Sequence, residues 1–232
     1  MDTVHCLRVG EIATNCWIYP LEAPSASDSP SHNDSGRFST APRACAVIDP
    51  GDEAVLIIDH LRKLNLCPKY ILLTHGHFDH LGALPDLVRV FPALIAIHRN
   101  DSMYLGPMAH TAHLAVLKAA MGSVFFQDAF DSFPEPGMLL SDGEELDPFK
   151  VIHLPGHTPG SIAFYDEKAN VLFSGDTLFC GDCGRTDLPG GSRSELEQSL
   201  KRLFSMKGSI RVLPGHGPET TIQNESDRGI FF

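Results

Sequence analysis

Positive charge is scarce in this chain. Its 232 residues carry 18 Lys and Arg against 29 Asp and Glu, a net charge of −11 at pH 7. A surface of that sign repels phosphate backbones, so nucleic acid is not an expected partner. Long apolar runs are missing as well. No stretch reaches the roughly eighteen apolar residues of a membrane span, so no membrane partner is expected. Met1–Gly10 contains Asp2, His5 and Arg8 and lacks the apolar core of a signal peptide. Cysteine is sparse: six residues scattered at positions 6, 16, 45, 67, 180 and 183. In a chain whose 43% hydrophobic content can build a core, that spacing suggests reduced thiols and a cytoplasmic protein. The length suits one domain of α/β size over residues 1–232.

Apolar strands alternate with helical periods. Strands are expected at Val4–Arg8, Asn15–Tyr19, Ala44–Asp49, Tyr70–Leu73 and Leu94–Ile97, then at Lys150–Leu154, Ser161–Tyr165, Val171–Ser174 and Ile210–Leu213. Helices are expected at Glu53–Leu64, with Val55, Ile58 and Leu61 on one face, and at Leu81–Phe91, His113–Met121 and Ser192–Met206. Pro85 must fall in a first helical turn. Ser192 and Glu195 form a capping box. Residues 21–43 are rich in Ser, Pro and Asp and read as a loop inserted between two strands. Two similar halves of this kind suit two sheets packed face to face with helices outside.

Seven ligand-type residues fall in four short blocks: His75, His77, Asp79 and His80 in T-H-G-H-F-D-H, His157 in L-P-G-H-T-P-G, Asp176 in F-S-G-D-T, and His216 in L-P-G-H-G-P. Five imidazoles and two carboxylates are the inventory for two divalent ions sharing a carboxylate, with no thiolate needed. In an extended segment residues two apart point the same way, so His75 and His77 can grip one ion. Once the chain turns toward a helix, Asp79 and His80 face elsewhere and can grip a second. His157, Asp176 and His216 each follow a predicted strand in a Gly-flanked turn, where the backbone can come close.

These blocks resemble the metallo-β-lactamase superfamily of metallohydrolases. The resemblance implies an α/β fold, a four-layer αββα sandwich of two mixed β-sheets flanked by helices, with metals at one edge of the sheets. It also implies that His75, His77 and His157 hold one ion, that Asp79, His80 and His216 hold the other, and that Asp176 bridges them. No Cys occupies the second set, unlike many true β-lactamases, and position 77 is not Glu, unlike the flavodiiron branch. The stretches L-F-S-G-D-T-L-F, G-R-T-D-L-P-G-G and V-L-P-G-H-G-P-E-T-T are similar to the glyoxalase II-like branch in its short form. Full-length members add a C-terminal helical domain that helps bind glutathione, whereas here only Gly217–Phe232 follow His216.

The function this implies is hydrolysis of a small thioester such as S-lactoylglutathione by a metal-bridging hydroxide, with zinc expected first and iron or manganese admitted. Asp79 is the candidate proton acceptor. Asp49, in I-D-P-G, resembles a position that braces the metal-binding loop through hydrogen bonds. Arg185 is the candidate to hold a substrate carboxylate, because its fork matches that group. The alternatives are a persulfide dioxygenase with a single iron, a lactonase or other ester hydrolase, and a metal-dependent binding protein without activity. Cys180 and Cys183 form a lone C-x-x-C in Gly-rich surroundings, a weak redox signal. His98, His110, His113 and His153 read as structural or solvated.

Overall fold

The computed structural model describes residues 4–21, 41–121 and 133–229. A first sheet holds β1 (His5–Val9), β2 (Thr14–Pro20), β3 (Arg43–Ile48), β4 (Leu66–Leu72), β5 (Leu94–His98) and β6 (Met138–Leu140), neighbours in that order. Its first two pairings are antiparallel and the remaining three parallel. A second sheet has six strands: β7 (Glu145–Leu146), β8 (Phe149–His153), β9 (Ile162–Asp166), β10 (Val171–Gly175), β13 (Arg211–Pro214) and β14 (Thr220–Thr221). A small ribbon pairs β11 (Leu178–Phe179) with β12 (Asp182–Cys183). Helices α1 (Ala54–Lys63), α2 (Leu84–Val90) and α3 (Ala109–Met121) accompany the first sheet. Helices α4 (Arg193–Phe204) and α5 (Ile222–Arg228) accompany the second.

The four layers follow from strand alternation. In β3, Ala46 and Ile48 turn toward the other sheet, while Cys45 and Val47 turn toward the helices. In β10, Val171 and Phe173 face the first sheet and Leu172 faces α4. Three apolar seams result. One lies between the sheets, one under α1–α3, and one under α4 and α5. Strands buried on both faces lose alternation, and β10 is buried throughout.

Three expectations change in detail. In α1 the buried face is Ile57, Ile58 and Leu61, and Val55 is 73% exposed. At 3.6 residues per turn Val55 sits about 110° from the centre of that face. Strand β4 starts at Leu66, four residues before the expected Tyr70. Pro68 hides that start, since proline cannot donate to a ladder. A register shift opposite Cys45 and Ala46 absorbs it. Helix α3 starts at Ala109 rather than His113. Half of the capping box at α4 forms: Ser192 accepts from the Glu195 N–H at 3.4 Å, while the Ser192 N–H donates to the Gly156 carbonyl at 2.8 Å instead of to the Glu195 side chain. Pro85 lies in the first turn of α2. Most of the 21–43 insert, residues 22–40, lies outside the described residues.

Candidate metal centre

All seven ligand-type residues come to one edge of the sandwich. Strand β8 is antiparallel to β9 and β9 to β10, so β8 and β10 run the same way, and β13 is parallel to β10. Their C-terminal ends therefore deliver His157, Asp176 and His216 to one side. From the first sheet, β4 delivers Thr74 and His75. The chain stays extended at His77, then tightens into a 3-10 turn over Phe78–His80. Three groups of ligand atoms result, each within 4.8 Å of one another: His75–His77–His157, His75–His80–Asp176, and Asp79–His80–His216.

The outer ring nitrogens of His75, His80 and His157 are tied to oxygens. The Thr74 hydroxyl donates to Asp49 Oδ2 at 2.7 Å, so its oxygen is left to accept from His75 Nδ1 at 3.1 Å. His80 Nδ1 donates to Asp49 Oδ2 at 3.0 Å, and His157 Nδ1 donates to the Arg185 carbonyl at 2.8 Å. Each bond places the proton outside and turns the Nε2 lone pair inward. The inward atoms crowd together. His157 Nε2 lies 2.9 Å from His77 Nδ1, and His80 Nε2 lies 3.3 Å from His216 Nε2. Asp176 Oδ1 and His75 Nε2 are buried with no hydrogen-bond partner. Buried polar atoms are normally paired, so their convergence here fits cations. His77 turns Nδ1 inward, and its outer Nε2 is buried without a partner. Gly215 keeps the space open: a Cβ there would run into Asp176 Oδ1 and the His80 ring.

Electrostatics agree with that fit. Burial, reinforced by His80, His157 and His77, holds His75 well below its usual range, and burial beside His157 pushes His77 down to about 3. Both are neutral lone-pair donors. Burial would raise the Asp79 and Asp176 carboxyls. The His80 charge outweighs it, His216 also faces Asp79 at 3.3 Å, and both stay ionised. Burial opposes charge on His80, yet Asp176, Asp79 and Asp49 raise it well above normal. A site of ionised carboxylates that draws protons onto His80 and His216 is one that calls for positive charge.

Asp49, 1% exposed, also accepts from the Thr74 N–H at 2.8 Å. Arg185 reaches the site through its carbonyl. Its guanidinium instead makes a two-bond pair with Asp187 at 2.7 Å, in solvent. Among the described histidines outside the blocks, His98, His153 and His113 have other partners. His98 stacks on His153 at 4.1 Å, and His113 donates to the Tyr104 carbonyl at 2.9 Å. Cys180 lies in the turn of the β11–β12 ribbon and Cys183 in its second strand, and both thiols are free. Sequence reasoning missed Thr74, Tyr104, Asp101 and Asn15. Thr74 adjoins the ligand block and was open to inspection. The others touch the site only through the fold.

The sequence pattern of the metallo-beta-lactamase superfamily matches residues 40–216. The chain belongs to that superfamily, one of metal-dependent hydrolases. It is 38% identical over 189 residues to the hydroxyacylglutathione hydrolase GloC of Haemophilus influenzae, spanning 80% of this chain and 86% of that one. Among solved structures, the BLEG-1 B3 metallo-beta-lactamase superposes with a TM-score of 0.79 at 30% identity over 99% of each chain. The protein TTHA1623, solved in a di-iron-bound form, superposes with a TM-score of 0.78 at 35% identity, over 99% of this chain and 100% of that one.

Proposed function

We propose that this chain is a two-metal hydrolase that cleaves a small thioester, with S-lactoylglutathione the first substrate to test. The observation that carries the reading is the convergence of ligand-type atoms in three groups, with the rings of His75, His80 and His157 held inward by outer nitrogens already tied to protein oxygens. In this reading His75, His77 and His157 hold one divalent ion and Asp79, His80 and His216 hold the other. Asp176 bridges them. Support for the bridge is that the Asp176 carboxylate lies against both groups: Oδ1 is 3.3 Å from His80 Nε2, and Oδ2 is 3.6 Å from His216 Nε2 and 3.7 Å from His157 Nε2. Such donors suit zinc first, and admit iron and manganese.

Two ions bound there supply a Lewis acid and an activated water at neutral pH. The residues do the rest. Asp79 Oδ2 is the proposed proton acceptor. His80 and His216 lie 3.2 and 3.3 Å from it, and Thr14 Oγ1 donates to it at 3.4 Å. Asp49 holds His80 in one tautomer. The exposed Asp187 carboxylate is easily exchanged for another, so Arg185 can turn to a substrate carboxylate, as a glutathione-derived substrate carries. The relative named for hydroxyacylglutathione hydrolysis supports that substrate class. Free thiols at all six cysteines suit a reducing cytoplasm.

The test is loss of the thioester absorbance of S-lactoylglutathione, with protein loaded separately with zinc, iron and manganese. Hydrolysis by the wild type that disappears in Asp176→Ala is the expected result. Absence of hydrolysis with every metal would remove this substrate and turn attention to oxygen uptake with a persulfide.

A further inference from the structure

Outside the seven ligand-type residues, Asp101 is buried to 0% exposure. It sits in the 3-10 turn after β5, in the first sheet's half of the molecule. Its carboxylate accepts three hydrogen bonds. Oδ2 takes the Gly76 N–H at 2.9 Å and the Thr158 hydroxyl at 2.7 Å, and Oδ1 takes the Gly160 N–H at 2.7 Å. Gly76 lies between His75 and His77. Thr158 follows His157. One carboxylate thus bonds both loops that make up the three-histidine group, one loop from each sheet. Gly160 makes the approach possible, because a Cβ there would meet Asp101 Oδ1 at 2.5 Å.

Among the described residues, the hydrogen bonds of Asp101 go to Gly76, Thr158 and Gly160 and none reaches Asp79, His80 or His216. That half has separate fastenings. Asn15 Nδ2 donates to the carbonyls of Pro214 and Gly217, at 3.0 and 2.9 Å, on either side of His216. His80 hangs on Asp49.

From this division of labour we infer that Asp101 is a positioning residue for the three-histidine group alone: it clamps the His157 loop to the His75–His77 loop and so sets that metal position without serving the second. The inference rests on the metal-binding reading proposed above. Partners that orient ligands in this indirect way typically contribute about 10–100-fold in metal affinity. Asp101→Asn keeps the shape but replaces one acceptor oxygen by a donor. At least one of the two N–H groups or the hydroxyl then faces a donor.

The test is zinc affinity, measured by competition with a chromophoric chelator on chelator-stripped protein, in two backgrounds. His216→Ala weakens the second group and leaves the three-histidine group intact. His157→Ala does the reverse. D101N should lower zinc affinity about 10–100-fold in the His216→Ala background, and change it less than about 2-fold in the His157→Ala background, where its target is already broken. Equal losses in both backgrounds would show general loosening and overturn the inference. So would no loss in either. If D101N does not fold, Thr158→Val removes one bond of the same clamp and should show the same asymmetry at smaller size. A wild-type chain that takes up no zinc would overturn the metal reading together with this one. Normal uptake with D101N unchanged would overturn this one alone.

Discussion

Asp49 carries more bonds than its place in the sequence suggests. One carboxylate accepts from Thr74 N, from the Thr74 hydroxyl and from His80 Nδ1, all of them buried. Asp49→Ala would strand donors at about 1–3 kcal/mol each. Urea unfolding should show that loss, and metal analysis should show depletion, since His80 loses the partner that fixes its tautomer. His113 makes a different prediction. It is 1% exposed, and burial pushes it down to about 4 despite its bond to the Tyr104 carbonyl. Its folded form stays neutral while the unfolded chain takes up a proton below about 6.5. Stability from this group is therefore present above pH 6.5 and lost as pH falls toward 4, by about 1–3 kcal/mol in all. His113→Gln keeps a donor and removes the titration, so urea midpoints measured across that window should fall less steeply than in the wild type. The candidate ligands were legible at this scale because H-x-H-x-D-H and the Gly-flanked His and Asp are local patterns. Asp101 was not, because the loops it joins lie 25 and 57 residues away in sequence.

Helix α4 shows what an element owes to local chemistry. Ser192 has extended backbone and its side chain accepts from the Glu195 N–H, as the capping box predicts. Ser192→Ala should cost about 1 kcal/mol, readable as a small fall in Tm with little effect on the site. The same helix also holds the His157 loop from behind, since Ser199 Oγ donates to the Pro155 carbonyl at 2.7 Å. Nothing in the helical period announces that bond. Helix α1 shows the opposite case. The period allowed more than one apolar stripe, and only packing on the first sheet chose Ile57 over Val55. Strand β4 belongs with it: its early residues became a strand because β3 offered a partner with room for a register shift at Pro68. The short pairings β6, β7, β11, β12 and β14 run two or three residues each, too few for alternation to show.

At the scale of the molecule, the ligand-type residues come from both sheets, so ions bound there would act as a cross-link between the two halves. Anything that binds only the folded state adds stability by mass action, about 2.7 kcal/mol at a free concentration of one hundred times Kd. Stripping the protein with a chelator should therefore lower Tm, and readdition of zinc should restore it; an unchanged Tm would count against tight metal binding. The sequence by itself determined the αββα layering and the superfamily, and picked out the seven ligand-type residues as candidates, because each rests on short-range patterns: alternation, helical period, and Gly-flanked His and Asp at strand ends. The tertiary structure decided which ligand atoms meet. His157 reaches His77 across 80 positions of chain, and His216 reaches His80 across 136. It also decided which buried carboxylates hold the loops that carry them. The physical reason is that a strand end can present a histidine by local rules, but its neighbour in space is chosen by how two sheets pack, and no local pattern records that choice.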